Sequence, residues 1–142
     1  MTDQETLDAL NAHQPGFIAM LGGKVIDLDP EAQSLTFEFH VSTDFCHSGN
    51  IVQGGFTTAM LDAAMSHAVF AMLGRENIVN VSSLEIKTSY IAPTLAGKHR
   101  AVGKIVKSTY KTAFLEAALY NPEGELTATA SSVAKLVRAK SA

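Results

Sequence analysis

The chain has 142 residues, of which 46% are hydrophobic and 18% charged, and its formal net charge at pH 7 is −3. This length is sufficient for one domain with a core of its own, and the composition excludes an intrinsically disordered chain. The negative charge without a basic run argues against a nucleic acid partner, and the single cysteine, Cys46, excludes an intrachain disulfide framework.

The first half of the sequence predicts two helices separated by a pair of strands. The first helix is predicted over residues 3–13, before a Pro-Gly pair, and the two strands over Lys24–Asp29 and Ser34–Val41. The second strand alternates between apolar and polar residues, so one of its faces is predicted to be buried. Residues 42–52 are polar and irregular and are predicted to form a loop that leads to a long helix over residues 55–73.

The second half of the sequence predicts four strands. They cover residues 78–91, 98–109, Thr112–Tyr120 and Leu126–Arg138. An Asn-Pro-Glu-Gly turn at residues 121–124 separates the last two strands. No internal repeat, linker or low-complexity segment interrupts this pattern, so the sequence indicates a single domain.

The long helix decides the predicted architecture. Its apolar residues spread nearly all round at about 100° per residue, so the helix is predicted to be buried on most of its sides. An antiparallel sheet curled around one central helix meets this requirement. We therefore predict an α+β chain with the hotdog fold, in which a curved antiparallel β-sheet wraps around a long central helix. The domain is predicted to comprise residues 1–142, with an N-terminal helix within residues 1–14 and the core within residues 15–138.

A glycine pair precedes the long helix, and the helix carries one carboxylate eight residues after the first glycine. Gly54 and Gly55 allow the backbone to approach a ligand closely, and the N–H groups of a helix N-terminus can bind an anionic oxygen. Asp62 is costly to bury on so apolar a helix unless it has a partner or a function. An oxyanion-binding turn together with one acid is the minimum set of groups for acyl-transfer chemistry.

The same residues carry a family resemblance. The sequence Gln-Gly-Gly at residues 53–55, followed by Leu-Asp at 61–62, resembles the His-Gly-Gly…Asp signature of the PaaI-type hotdog acyl-CoA thioesterases in the 4-hydroxybenzoyl-CoA thioesterase-like superfamily. The similarity continues through Tyr-Ile-Ala-Pro at residues 90–93. The chain departs from the family in two places, since its first signature residue is glutamine and His47 stands where an asparagine or glutamine is common.

The resemblance implies an acyl-CoA thioesterase that hydrolyses its substrate to a free carboxylic acid and coenzyme A. It implies that Asp62 is the general base or the nucleophile, and that Gly54 N–H stabilises the developing oxyanion. His47 corresponds to a residue that orients the water or the thioester, and Ser66 to a hydroxyl that helps to hold the nucleophilic water. The candidates for substrate binding are Asn50, Gly55 and Ser83.

Each of these assignments has a structural alternative. Asp62 could be a hydrogen-bonded structural aspartate, His47 a solvated loop residue, and Ser66 a hydroxyl bonded to the carbonyl groups of its own helix. Gln53 is expected to hold the loop in place of the histidine of the family. His67 lies about 140° around the helix from Asp62 and is expected to be structural.

The spacing of the two main candidates has a consequence for assembly. Eight residues of helix separate Gly54 from Asp62 by roughly 12 Å, and one carbonyl carbon cannot contact both groups at about 3 Å. A two-fold dimer that places Gly54 of one subunit beside Asp62 of the other resolves this problem and forms two identical sites. The resemblance implies the same assembly, a homodimer or a homotetramer of paired dimers.

Two other functions remain compatible with the sequence. The first is a hotdog dehydratase or hydratase acting on 3-hydroxyacyl thioesters, in which His47 and Asp62 would form the acid-base pair. The second is an acyl-CoA-binding domain without catalytic activity, for which the two departures from the family signature are the support. Hydrolysis of a thioester in vitro separates the predicted thioesterase from both.

No cofactor is expected apart from the coenzyme A moiety of the substrate, and the five histidines show no paired spacing for a metal. Cys46 and His47 are neighbours in an extended loop, point to opposite sides and make a poor catalytic dyad. The acidic N-terminus and the lack of a long uncharged apolar stretch predict a cytoplasmic protein with no membrane partner. The nature of the acyl group is left open, because the residues that could line its pocket are also ordinary core residues.

Overall fold

The computed structural model describes residues 1–140, so the predicted domain end at Ala142 lies outside the described residues. The helices are α1 (Asp3–Ala12), α2 (Gly16–Met20) and α3 (Gly54–Leu73). The strands are β1 (Lys24–Asp29), β2 (Ser34–Val41), β3 (Cys46–Ser48), β4 (Ile51–Val52), β5 (Ile78–Tyr90), β6 (Gly97–Ser108), β7 (Thr112–Tyr120) and β8 (Leu126–Arg138).

Six strands form one antiparallel sheet in the order β1-β2-β6-β7-β8-β5, and β3 pairs with β4 in a separate short ribbon. The sheet wraps around α3, which contacts β6 most extensively and also packs on β2, β5, β7 and β8. This arrangement confirms the predicted hotdog fold. Strands β1 and β5 form the two edges of the sheet.

The alternation in β2 places one face of this strand in the core, as predicted. Leu35, Phe37 and Phe39 on that face are at most 1% exposed. The rings of Phe37 and Phe39 stack with their centroids 5.0 Å apart. Full burial of each such side chain contributes about 1.5–3 kcal/mol to the stability of the folded state, so this strand contributes strongly to the stability of the domain.

Helix α3 is long and apolar enough, by length and composition alone, to cross a membrane. It carries the charged residue Asp62, however, so it is not a long uncharged apolar stretch of the kind that the sequence was predicted to lack. Half of its apolar window is nevertheless buried inside this domain. Its composition is therefore explained by its position inside the sheet. Its buried residues are Thr57, Met60, Leu61, Ala63, Ala64, Met65, His67, Ala68 and Val69.

Two parts of the chain contain more regular structure than predicted. Residues 42–52 hold a 3-10 turn at Thr43–Phe45 and the ribbon of β3 and β4, instead of a plain loop. The ribbon is anchored from outside, because Val52 N–H donates to the carbonyl oxygen of Thr94 at 2.8 Å. The short helix α2 begins at Gly16, within the Pro-Gly pair that was predicted only to end α1.

A glycine in β6 allows α3 to lie directly on the sheet. A Cβ atom added to Gly103 would lie 2.2 Å from the carbonyl oxygen of Ala64 and 2.7 Å from the backbone nitrogen of Met65. Because backbone atoms cannot move aside as a side chain can, Gly103→Ala is expected to lower the free energy of unfolding by about 3 kcal/mol. Urea unfolding measures this loss. The control is Gly16→Ala, where an added Cβ meets nothing within 4 Å, and its effect is expected to stay within about 0.5 kcal/mol.

Candidate active site

Strand β5 runs antiparallel to the first half of α3 and is tied to it by side-chain hydrogen bonds. These bonds join the beginning of the helix to the end of the strand and the middle of the helix to the middle of the strand. The pairs are Gly54 with Tyr90 at 2.8 Å, Thr58 with Thr88 at 2.9 Å, and Asp62 with Ser83 at 2.9 Å. Of the predicted catalytic residues of α3, Gly54 and Asp62 therefore lie beside the same edge strand of the sheet.

The turn before α3 leaves one backbone donor free. Gln53 is the N-cap of the helix, and its Oε1 accepts from Gly55 N–H at 2.7 Å, while its carbonyl oxygen accepts from Phe56 N–H at 3.0 Å. Among residues 1–140, no group accepts a hydrogen bond from Gly54 N–H. Gly54 N–H can therefore bind an oxygen atom of a ligand, whereas the N–H of Gly55, a predicted substrate-binding residue, already has a partner.

A cleft of about 400 Å³ opens beside this turn. Gly54 and His47 both line it, and most of the other lining residues come from β4 and from residues 90–94. The His47 side chain is exposed, and its Nδ1 lies 2.7 Å from Ser48 Oγ. Asn50 is exposed in the turn between β3 and β4, outside the lining of the cleft. The structure thus brings His47 together with Gly54 and leaves Asn50 apart from them.

The Asp62 carboxylate lies two helical turns further along α3. Its Oδ1 accepts from Ser83 Oγ at 2.9 Å, so the predicted substrate-binding serine is a direct neighbour of the predicted acid. In this single chain Asp62 is half-buried, in contrast to the deep burial that the apolar helix suggested. Ser66 Oγ donates to the carbonyl oxygen of Asp62 at 3.1 Å and to that of Ala63 at 3.3 Å, so it is bonded back to its own helix.

His67, on another face of α3, is part of the core. It is 8% exposed, its ring packs edge-on against Phe37, and its Nδ1 donates to the carbonyl oxygen of Ala63 at 2.9 Å. Burial lowers the pKa of His67 below its ordinary value near 6.5. The hydrogen bond to Ala63 opposes this shift, and the charge of Arg75 adds to it. This side chain is therefore a neutral structural residue, as expected from its position on the helix.

The lowered pKa of His67 predicts a loss of stability in acid. The unfolded chain binds a proton at this residue more readily than the folded chain, so the free energy of unfolding falls as the pH drops below about 6.5. The slope from this one residue is at most about 1.4 kcal/mol per pH unit. His67→Phe keeps an aromatic ring against Phe37 and is expected to show a weaker dependence between pH 7.5 and 5.5. Urea unfolding at both pH values checks this, and equal slopes would contradict it.

The hydroxyl groups that surround Gly54 were not predicted from the sequence. Thr58 Oγ1 lies 2.9 Å from Thr88 Oγ1 and 3.0 Å from the hydroxyl oxygen of Tyr90, which itself donates to Gly54. A signal for this face was present in the sequence, because Thr58, Asp62 and Ser66 recur every four residues on a largely apolar helix. Residues at this spacing share one face of a helix.

Comparison with known proteins identifies the family of the chain. The model of the Thioesterase superfamily matches residues 49–128, a segment that includes the glycine pair, α3 and β5. A phenylacetic acid degradation-related protein from Ralstonia eutropha JMP134 has a similar structure, with a TM-score of 0.82 and 27% identity over 94% of this chain and 98% of that one. The E. coli PaaI protein from the phenylacetic acid degradation operon shares the fold, with a TM-score of 0.80 and 13% identity over 95% of this chain and 93% of its own.

A relative known from its sequence is an uncharacterized protein of Schizosaccharomyces pombe, 40% identical over 73 residues. The match covers 51% of this chain and 38% of the length of that protein. A thioesterase from Haemophilus influenzae has the same fold, with a TM-score of 0.79 and 14% identity over 97% of this chain and 92% of its own. With the family model covering more than half of the residues, the chain belongs to the Thioesterase superfamily.

Proposed function

We propose that this protein hydrolyses acyl-CoA thioesters to a carboxylic acid and coenzyme A, in sites that two subunits of a homodimer form together. Membership of the superfamily supports a thioester hydrolase. The observation that carries the proposal is that one helix presents both a free Gly54 N–H at a cleft and a single carboxylate, that of Asp62. The first group can stabilise an oxyanion, and the second can activate water.

The reaction needs only these groups and one water molecule. Asp62 takes a proton from the water as its oxygen attacks the thioester carbonyl carbon, and Gly54 N–H stabilises the negative charge on the former carbonyl oxygen. The carbon–sulfur bond then breaks, coenzyme A leaves as a thiolate that takes up the proton, and the carboxylic acid remains. Alternatively, the Asp62 carboxylate attacks the carbonyl carbon first and displaces coenzyme A as a thiolate. Water then hydrolyses the mixed anhydride, which releases the carboxylic acid and regenerates the Asp62 carboxylate, while the proton of the water neutralises the thiolate. His47 lines the same cleft and would orient the thioester or the water.

The edge strand β5 gives the dimer a specific geometry. Along this strand, Tyr90 lies beside Gly54 and Ser83 lies beside Asp62, because each pair is joined by a hydrogen bond. Antiparallel pairing of two β5 strands about an axis between Ile86 and Lys87 would set Tyr90 opposite the partner subunit's Ser83. Each Gly54 N–H would then lie beside the carboxylate of the partner subunit. This pairing would also cover a strand edge that otherwise exposes unpaired backbone groups.

The two-fold axis of this strand pairing would also relate the α3 helices of the two subunits. For Gly54 of one subunit to meet Asp62 of the other, the two-fold axis must pass the midpoint between these residues, which is Thr58. Thr58 contacts β5 at Thr88, close to the position that the strand pairing requires for the axis. One axis therefore accounts for both the strand and the helix, which supports a dimer built along this edge.

The experiment is an assay of coenzyme A release, detected as free thiol, from a panel of short-chain, medium-chain, long-chain and aromatic acyl-CoAs. Hydrolysis of at least one member above the uncatalysed rate is expected, and the panel ranks the acyl groups. Size-exclusion chromatography with light scattering determines the assembly, for which a dimer or a multiple of dimers is expected. Absence of hydrolysis across the panel would contradict the proposal, and hydration of crotonyl-CoA would then test His47 and Asp62 as an acid-base pair.

A further inference from the structure

We propose that Tyr90 is a positioning residue for the oxyanion donor, through a chain of hydroxyl groups that ends on the carbonyl oxygen of Gly54. This inference rests on the proposed function, because it concerns the group that would stabilise the oxyanion. Tyr90 itself is not assigned a contact with the reacting atoms. Its role is to fix the orientation of the backbone next to Gly54 N–H.

The peptide between Gly54 and Gly55 is held at both ends. Its carbonyl oxygen accepts from the Tyr90 hydroxyl at 2.8 Å, and its N–H donates to Gln53 Oε1 at 2.7 Å. Two successive glycines would otherwise sample many backbone conformations. Because catalysis requires the donor to point at the oxygen before the reaction begins, this pair of contacts gives the glycine turn the rigidity that an oxyanion site needs.

The direction of every hydrogen bond in the hydroxyl chain follows from its last member. The carbonyl oxygen of Gly54 can only accept, so the proton of the Tyr90 hydroxyl is directed to it. Thr58 Oγ1, 3.0 Å from the Tyr90 oxygen, must then donate to it, and Thr88 Oγ1 must donate to Thr58 at 2.9 Å. Hydrogen bonds aligned in one direction polarise one another, so the two threonines strengthen the bond from Tyr90 to Gly54.

The Tyr90 ring also packs closely on this position of the turn. A Cβ atom on Gly54 would lie 3.0 Å from the Tyr90 hydroxyl oxygen and 3.1 Å from Cζ of the ring. The ring thus lies against the α-carbon of Gly54, although Tyr90 is 58% exposed in this chain. Because Tyr90→Phe keeps this ring and its contact with Gly54, its effect on the stability is expected to be small, which separates a positioning role from a structural one.

The test is Tyr90→Phe, which keeps the ring and removes only the hydroxyl. We expect kcat for the best acyl-CoA to fall about tenfold. Complete removal of an oxyanion donor lowers kcat about a hundredfold or more, and a donor that is only displaced should lose part of that contribution. KM is expected to stay within about twofold and the melting temperature to stay unchanged. The matched control is Tyr110→Phe, which removes a hydroxyl outside the candidate site from a residue that is 69% exposed. It should leave kcat and KM unchanged.

A double-mutant cycle tests the chain of hydroxyl groups. Thr58→Val is expected to lower kcat by a smaller factor than Tyr90→Phe in the wild-type background. In the Tyr90→Phe background it is expected to have no further effect, because Thr58 acts through the hydroxyl that is already absent. Independent, multiplicative effects of the two substitutions would overturn the proposed chain. A raised KM with unchanged kcat in Tyr90→Phe would instead make Tyr90 a substrate contact.

A second readout does not depend on turnover. Backbone ¹⁵N relaxation of Gly54 and Gly55 is expected to show ordered amides in the wild type and greater mobility on the picosecond to nanosecond timescale in Tyr90→Phe. Unchanged order parameters would overturn the positioning role, whatever the activity. If the wild type hydrolyses no acyl-CoA, the proposed function fails, and the relaxation data still decide whether Tyr90 holds the glycine turn.

Discussion

Replacement of Asp62 by asparagine is expected to lower kcat for acyl-CoA hydrolysis at least about a hundredfold, the range that loss of a general base produces. The amide has nearly the same size as the carboxylate, and its oxygen can still accept the hydrogen bond that Ser83 Oγ now donates at 2.9 Å. It can neither take a proton from water nor attack the thioester. The assay is release of coenzyme A, with kcat and KM determined separately for each variant.

The matched control for this substitution is Asp8→Asn. Asp8 is an exposed residue of α1, and its replacement makes the same chemical change outside the candidate site. Its kcat and KM are expected to equal those of the wild type. An Asp62→Asn variant that retains more than a tenth of the wild-type kcat would remove Asp62 from the chemistry and leave it as a structural partner of Ser83.

Local patterns in the sequence were sufficient to predict most strands of the sheet. The predicted bounds of β1, β2, β7 and β8 match the structure, because each strand places apolar residues in the core and ends at clear turn signals. The ribbon of β3 and β4 was missed for the opposite reason. Two- and three-residue strands carry no usable period, and this ribbon depends on contacts with distant residues such as the bond from Val52 to Thr94.

The candidate site likewise contains residues that local pattern could predict and residues that it could not. Gly54 and Asp62 are distinctive in the sequence because a glycine pair and a single acid stand out against an apolar helix. The role of Tyr90 could not be predicted from local pattern, since it depends on which strand becomes the edge beside the start of α3. The sheet order, with β5 outside β8, is a property of the whole fold and places residues 36 positions apart within one hydrogen bond.

The shared site can be tested with a proline at the start of α3. Gly54→Pro removes the proposed oxyanion donor, and proline is well tolerated at the first position of a helix. The preceding residue, Gln53, has ψ of 135°, which is the extended conformation that a following proline requires. Gly54→Ala is the control, because it adds the same Cβ atom near Tyr90 but keeps the N–H. We expect a fall in kcat of about a hundredfold or more for proline and a much smaller fall for alanine.

Mixing this variant with Asp62→Asn in one dimer should restore activity. If each site combines Gly54 of one subunit with Asp62 of the other, a heterodimer of the two variants contains one intact site and one site that lacks both groups. Its kcat is therefore expected to be about half that of the wild-type dimer, whereas each variant homodimer is at least about a hundredfold less active. Two different affinity tags allow the heterodimer to be purified for this assay. If both groups acted within one subunit, every site of the heterodimer would be defective, and its activity would stay at the level of the homodimers.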